Sequence, residues 1–155
     1  MFVDVANFTS FTADNGDEAA LKMLSSLNEL ILAAIKPAKG ECVKKLGDGF
    51  LLAFPSASQA VRGAIAIRAA TKRKKIEVTL RIAVHAGEPL VEQDDLLGHD
   101  VNLTARLLDH CDPGAIVVSG AAKELAEKRL RKVSFRDQRV IKIRGLSTPV
   151  TAFSI

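Results

Sequence analysis

Apolar and polar residues alternate with two different periods along the first half of the chain. Segments typical of strands lie at 2–5, 42–46, 50–54 and 78–87, and segments with apolar residues at helical spacing lie at 18–35 and 57–72. The polar residues 12–18 are typical of the start of the first helix. The resulting order, β-α-β-β-α-β, predicts an α+β fold with a ferredoxin-like split β-α-β core. In such a core the first strand lies between its neighbours, and helices cover one face of an antiparallel sheet.

The second half of the chain adds further elements to this core. A polar connector follows the fourth strand, and then come a helix at 101–110, a strand at 115–119, a helix at 121–132 and strands at 139–145 and 150–155. The chain has 155 residues, of which 48% are hydrophobic, and it shows neither repeats nor a linker. Because a chain of this length buries an adequate core as one unit, we expect a single domain over residues 1–155.

The cysteine content and the lengths of the apolar runs indicate the compartment of the protein. Cys42 and Cys111 are too few for a disulfide framework, which indicates a reducing compartment. No apolar run reaches the length of about 18 residues that a membrane span needs, and the segment MFVDVANFTS lacks the features of a signal peptide. We therefore expect a cytoplasmic domain that makes no membrane contact itself. Since the first predicted strand starts at residue 2, we also expect a catalytic fragment of a longer protein, in which any membrane anchor lies outside these residues.

The charge of the chain is moderately basic. The formal net charge is +4, and basic residues cluster at 71–75 and 127–132. Both clusters lie near the predicted C-terminal end of a helix, where cations complement the helix dipole, and neither is interleaved with aromatic residues as in single-strand-binding surfaces. We interpret them as solvated helix ends and expect no nucleic-acid partner.

The predicted hairpin carries two charged residues, Lys44 and Asp48, among apolar ones. In one interpretation the pair Asp48-Gly49 simply forms a two-residue type I′ turn, with Gly47 and Gly49 easing positive φ angles. In the other, Asp48 meets Asp4, which ends the first strand, at one edge of the sheet. Hard cations such as Mg²⁺ bind one or two carboxylates and complete their shell with substrate phosphates and water. Spacing alone leaves both interpretations open.

Three motifs carry a resemblance to a known family. They are FVDVANFT at 2–9, KKLGDGF at 44–50 and DLLGHDVNLTAR at 95–106, supported by RIAVHAGEP at 81–89, GAIVVS at 114–119 and IRGLSTPVTAFSI at 143–155. In this order and spacing they resemble the catalytic domain of class III nucleotide cyclases over almost the whole chain. The adenylate cyclase type is favoured, which implies conversion of ATP to 3′,5′-cyclic AMP and pyrophosphate.

The resemblance also implies roles for individual residues. Asp4 and Asp48, with the backbone carbonyl of Val5, would hold two divalent ions, Mg²⁺ or Mn²⁺. The backbone amides of Phe8 and Thr9 would approach the triphosphate. Asn7 stands where glycine is usual in the family, which predicts a slightly altered phosphate loop.

Further residues would bind the substrate or stabilise the transition state. Lys44 and Asp95 match the pair that recognises adenine, Asn102 orients the ribose, and Arg106 stabilises the transition state. Arg144 falls where many members have a phosphate-binding lysine, and an arginine retains that charge. Asn102 and Arg106 also have an alternative interpretation. They could belong to the solvated stripe of an amphipathic helix, with Arg106 pairing with Asp109.

In this family the metal aspartates and the nucleotide-binding residues of one site come from different subunits. The resemblance therefore implies a homodimer with two equivalent sites at its interface. The connector EPLVEQ, at 88–93, is short where many members have a longer dimerisation arm. A guanylate cyclase, disfavoured by Lys44 and Asp95, and a catalytically silent nucleotide-binding dimerisation domain are the alternatives.

Overall fold

The predicted β-α-β-β-α-β core is present in the computed structural model, which describes residues 1–74, 76–143, 145 and 148–155. Its elements are β1 Phe2–Ala6, α1 Phe8–Asn15, α2 Asp17–Ile35, β2 Glu41–Leu46, β3 Gly49–Ala53, α3 Ala57–Arg73 and β4 Thr79–Val84. The elements that follow are β5 Leu90–Glu92, β6 Asp95–Leu97, α4 His99–Leu108, β7 Ile116–Ser119, α5 Gly120–Ala126, β8 Arg136–Ile141 and β9 Val150–Ser154.

One seven-stranded sheet has the order β2-β3-β1-β4-β7-β9-β8, and β5 pairs with β6 in a separate hairpin. Strand β1 lies between β3 and β4 and is antiparallel to both, as the split β-α-β core predicts. Strand β7 is parallel to β4, which leaves the antiparallel prediction correct for the core but not for this added pair. The parallel pair requires a crossover connection, and helix α4 lies in that connection.

The helices occupy both faces of the sheet, so the prediction of helices on one face is wrong for α4. Helices α2 and α3 pack on the face that carries Val3, Val5 and Ile82. On the opposite face, Leu103 and Leu107 of α4 pack with an apolar cluster that includes Ala83, Val117 and Ala152. The middle strands are apolar on both faces, and the amphipathic α4 covers the face that the first two helices leave open.

The segment after β1 forms a helix that the sequence pattern did not predict. Residues 12–18 were expected to cap the first long helix, but they span the end of α1, Gly16 and the start of α2. Phe8 and Phe11 of α1 are only partly buried against the core, which explains the weak periodicity. Gly16 separates the two helices with a φ of 84°, a conformation that favours glycine.

The hairpin turn differs from the predicted type I′ turn. Leu46 pairs with Gly49, so the two loop residues are Gly47 and Asp48, and of these two only Gly47 has a positive φ, 64°. Gly49 starts β3, where a Cβ atom would lie 3.2 Å from the carbonyl oxygen of Val3. The absence of a side chain at Gly49 therefore lets the turn approach β1 closely.

None of the helices in the described part of the chain combines the length and the apolar character that crossing a membrane requires.

Candidate active site

Two carboxylates meet where the hairpin turn approaches β1. Asp4 lies in the middle of β1 rather than at its end, and its side chain is 18% exposed. Val3 and Val5 face the α2–α3 layer, so Asp4 points to the other face of the sheet. The pKa of the Asp48 carboxyl is raised by burial first and by the negative charge of Asp4 second. The predicted convergence of Asp4 and Asp48 is therefore present.

The backbone of β1 next to these carboxylates is open on one side. Strand β3 pairs with Phe2 and Val3, whereas β4 pairs with β1 as far as Ala6. Beyond Val3, β1 thus has no ladder partner on its β3 side among the described residues. Since the side chain of Val5 is buried in the core, only its backbone is available to an ion.

Arg81 is a residue of this site that sequence reasoning did not assign. It faces Asp4 across the β1–β4 pairing, and its guanidinium donates a hydrogen bond to the Asp4 carboxylate within an ion pair. Its Nε atom is buried and has no hydrogen-bond partner among the described residues. The sequence contains one signal for Arg81, because it lies in the supporting segment RIAVHAGEP. Its contact with Asp4 has no local pattern, because the two residues are 77 positions apart.

The N-terminus of α1 follows directly after β1. Its first-turn amides, which include those of Phe8 and Thr9, have no acceptor within the helix, and the helix dipole there favours anions. Asn7 precedes this turn in the left-handed conformation, with φ 59° and ψ 31°. Glycine and asparagine are the residues that adopt this conformation most readily. Asn7 therefore adopts a conformation that is also open to glycine.

Lys44 on β2 and Asp95 on β6 form an ion pair, in which the Lys44 ammonium donates a hydrogen bond to the carboxylate. Both side chains remain about one-third exposed, at 35% and 31%. The hydrogen bond from Lys44 is the main cause that lowers the pKa of Asp95. The two residues that the resemblance assigns to the purine are thus adjacent although 51 positions separate them.

Asn102 and Arg106 are exposed on α4 and line a groove of about 600 Å³. Ile143 and Gly145, which follow β8, also line the groove. No ion pair joins Arg106 to Asp109 in the described part of the chain, so the pairing expected of a purely structural stripe is absent. Arg144 lies outside the described residues.

The predicted residues lie on different elements of the chain. Asp4 and Asp48 lie on β1 and at the β2–β3 turn, toward one edge of the sheet. The groove beside Asn102 and Arg106 reaches residues that follow β8, the strand at the opposite edge. The structure brings together Asp4 with Asp48, Lys44 with Asp95, and Asn102 with Arg106.

The donor set fits a hard divalent cation that substrate helps to bind. Among the described residues, no three His, Cys, Asp or Glu side chains are grouped as a metal site. Two carboxylates and a backbone carbonyl are oxygen donors, and Mg²⁺ commonly binds one or two carboxylates together with substrate phosphates. Burial first and the charge of Asp4 second raise the pKa of Asp48, and a bound cation would offset both effects.

A family model described as the adenylate and guanylate cyclase catalytic domain matches residues 1–155. The chain belongs to this family. Members of the family are nucleotide cyclases that bind a nucleotide substrate and generally depend on divalent metal ions. The resemblance stated from the motifs is thereby confirmed.

Individual relatives agree with this assignment. A Rhizobium meliloti (strain 1021) protein named "Putative adenylate cyclase 3" is 31% identical over 134 residues, covering 83% of the cyclase domain and 23% of that protein. The structure of an adenylate/guanylate cyclase/hydrolase from Silicibacter pomeroyi matches with a TM-score of 0.87 at 28% identity, covering 98% of the cyclase domain and 91% of that chain. The adenylyl cyclase CyaB from P. aeruginosa shares the fold, with a TM-score of 0.80 at 21% identity over 99% and 90% of the two chains. The cyclase domain thus spans less than a quarter of its Rhizobium relative.

Proposed function

We propose that the cyclase domain converts ATP to 3′,5′-cyclic AMP and pyrophosphate at sites shared between two copies of the chain. The observation that carries the choice of ATP is the Lys44–Asp95 pair, which holds a donor beside an acceptor. Adenine presents an acceptor at N1 and a donor at its 6-amino group, and in the arrangement that the resemblance implies these meet Lys44 and Asp95. In the same orientation guanine presents N1-H to the ammonium and an oxygen to the carboxylate, so both contacts become unfavourable.

Asp4, Asp48 and the carbonyl of Val5 would hold two divalent ions, Mg²⁺ or Mn²⁺. When bound, such ions lower the pKa of the ribose 3′-hydroxyl and neutralise charge on the triphosphate. In the ion-free domain, Arg81 balances one of the two negative charges through its ion pair with Asp4. The first-turn amides of Phe8 and Thr9 add donors for phosphate oxygens next to the carboxylates.

Cyclisation forms one bond between the 3′-oxygen and the α-phosphorus and breaks the bond from that phosphorus to pyrophosphate, while the proton of the 3′-hydroxyl passes to solvent. Asn102 orients the ribose for in-line attack. Arg106, and in this proposal Arg144, meet the negative charge on the phosphoryl oxygens, a task for which guanidinium groups are suited.

The homodimer is what the resemblance implies, because the parts of one site then come from two subunits. A second copy, placed head to tail, would bring its Asn102 and Arg106 to the Asp4 and Asp48 of the first, and twofold symmetry would create a second equivalent site. The β5–β6 hairpin supports this proposal, because Leu90 and Val91 on it are 71% and 76% exposed beside the Lys44–Asp95 pair. Exposed apolar side chains grouped on one element are typical of an interaction surface.

The test is an assay of the purified domain with ATP and with GTP, each in Mg²⁺, in Mn²⁺ and in excess chelator. We expect cyclic AMP and pyrophosphate in equal amounts, faster turnover of ATP than of GTP, and no product in chelator. A preference for GTP would identify a guanylate cyclase. Nucleotide binding without turnover, in either metal, would identify a silent nucleotide-binding domain and overturn the proposal.

A further inference from the structure

A polar contact that the proposed reaction does not use joins the end of β4 to the start of α4. His85 follows β4 directly and its side chain is only 9% exposed. Its Nε2 atom lies 3.3 Å from Oδ1 of Asp100, in the first turn of α4. Its Nδ1 atom lies 2.8 Å from the hydroxyl of Ser119, which is buried at the end of β7.

The second carboxylate oxygen of Asp100 is also bound. Oδ2 accepts a hydrogen bond of 2.9 Å from the backbone amide of Glu88. The neighbouring Gly87 makes room for this carboxylate, because a Cβ atom there would lie 2.1 Å from Oδ2. Asp100 therefore contacts the backbone of residues 87–88 as well as the side chain of His85.

The network defines which nitrogen of His85 carries the proton. The Ser119 hydroxyl accepts a hydrogen bond from the amide of Ala122 at the start of α5, and it can donate its own proton to Nδ1. A neutral His85 with its proton on Nε2 then donates to Asp100. Burial lowers the pKa of His85, which agrees with a neutral ring.

The apolar contacts of α4 constrain the position of the helix less narrowly than these hydrogen bonds do. Leu103 and Leu107 pack with Ala83 and Val117, and such contacts are not directional. Hydrogen bonds, in contrast, depend on distance and angle. Asp100 thus supplies a directional contact at the end of α4 that enters the site.

Asp100 and the two functional residues share one rigid helix. Asn102 and Arg106 follow Asp100 by a rise of about 3 and 9 Å, and they lie about 200° and 240° around the helix axis from it. Asp100 therefore contacts the end of β4 from one side of α4 while Asn102 and Arg106 are exposed on another. A shift or rotation of α4 would move both functional side chains.

We propose that Asp100, bound by His85 and by the Glu88 amide, is a positioning residue that fixes α4 against the sheet and so places Asn102 and Arg106 at the nucleotide. This inference rests on the proposed function, since it assigns Asn102 and Arg106 to the reaction. Asp100 acts through the helix and does not touch the substrate.

The kinetic test compares Asp100→Ala, which loses both contacts, with Asp100→Asn, which retains the shape and one acceptor. Because misplacing a reacting group by about 1 Å costs on the order of 10²-fold, we expect Asp100→Ala to lower kcat by about that factor. KM should change far less, since Lys44 and Asp95, which bind the base in the proposed function, lie on β2 and β6 rather than on α4. Asp100→Asn should recover most of the rate, because His85 can change tautomer and accept a hydrogen bond from the new amide.

The matched control is Glu127→Ala, which removes a carboxylate from an exposed contact of 2.6 Å with Lys123. This variant should keep wild-type kcat and KM. Wild-type kcat in Asp100→Ala, or an equal loss of rate in the control, would overturn the proposal. If Asp100→Ala does not fold, His85→Ala, which removes one partner and leaves the Glu88 amide, replaces it in the same comparison.

A second readout does not depend on catalysis. Amide hydrogen exchange of the purified domain should be faster in residues 101–108 of Asp100→Ala than in wild type, and unchanged in β1 and β4, because local exchange reports local opening. Absence of turnover in wild type would defeat the proposed function, while the exchange data would still decide whether Asp100 fixes α4. Equal exchange of α4 in both proteins would refute the positioning role.

Discussion

At the scale of single residues, charge and backbone conformation explain the site. Asp4 and Asp48 are adjacent because Gly49 lets the hairpin turn approach β1, with a virtual Cβ 3.6 Å from the Asp4 carboxylate. Both burial and Asp4 raise the pKa of Asp48, so the negative charge at this position is unfavourable without a counter-ion. Arg81 supplies part of that counter-charge through Asp4. We therefore expect this carboxylate pair to bind a cation.

The first prediction separates function from stability at Asp48. Replacing Asp48 by Asn should lower turnover at least about 10²-fold, because the ions that neutralise the phosphates would lose a carboxylate. In chelator, the same change should leave the midpoint of thermal unfolding equal or higher, since it removes a repulsive charge. The comparison requires initial rates and thermal unfolding of both proteins.

Asp14→Asn, at an exposed residue of α1, is the control and should change neither quantity. Wild-type turnover in a folded Asp48→Asn protein would return the turn to a structural role.

The second prediction concerns the base pocket. Lys44→Glu combined with Asp95→Ala should depress the use of ATP and raise the ratio of GTP to ATP turnover, because each mispaired buried polar group costs about 1 to 3 kcal/mol. The measurement is kcat/KM for both nucleotides. Lys45→Glu, on the exposed side of the same strand, changes the same charge outside the pocket and should leave the ratio unaltered. An unchanged ratio in the double variant would remove these two residues from base recognition.

At the scale of elements, the β5–β6 hairpin and helix α4 carry the exposed groups that concern the dimer. The connector that the sequence marks as short forms the β5–β6 hairpin, which contacts β2 through the Asp95–Lys44 pair. Its exposed Leu90 and Val91 have no apolar cover within the described chain. Helix α4 lies on the same face and carries the exposed Asn102 and Arg106. We therefore expect these exposed apolar and polar groups to contact a second copy.

The third prediction tests the hairpin as a dimer contact. Leu90→Ser combined with Val91→Ser should weaken the dimer by about tenfold or more, since burying one such side chain contributes about 1.5 to 3 kcal/mol. Sedimentation at several concentrations measures the dissociation constant, and specific activity should recover as concentration rises. Leu21→Ser is the matched control, because Leu21 is 68% exposed on α2, in the layer on the other face. An equal effect of both changes, or none from the hairpin, would place the interface elsewhere.

At the scale of the whole molecule, we expect one active site to combine groups from two copies of the chain. The Asp4–Asp48 pair belongs to strands toward one edge, and the groove beside Asn102 and Arg106 reaches residues that follow β8 at the other edge. In this proposal one copy supplies different parts to two different sites. Activity should consequently require the dimer.

The fourth prediction is complementation between two inactive proteins. Asp48→Ala and Arg106→Ala should each be nearly inactive alone. Random mixing should yield half heterodimers, each with one intact site of two, and so roughly a quarter of wild-type activity. The measurement is the rate after confirmed exchange, with each variant mixed with itself as the control. No recovery would show that these residues serve the same subunit's site.

The amino-acid sequence by itself determined the order of the core elements and the identity of the motif residues. Both are local properties: apolar residues at helical spacing identify α2 and α3, and short strand-like segments identify β1, β2, β3 and β4. The type I′ turn at Asp48-Gly49 and the capping role of residues 12–18 were wrong, because weak local patterns there were decided by packing.

Only the tertiary structure decided which distant residues meet. The pairing of Asp4 with Arg81 depends on the register between β1 and β4, and that of Lys44 with Asp95 on how the β5–β6 hairpin lies against β2. The seat of Asp100 on His85 depends on α4 lying across the face that the long helices leave open. Such contacts join residues that share no local pattern, because strand register and helix placement are set by burial of the whole core rather than by neighbours in sequence.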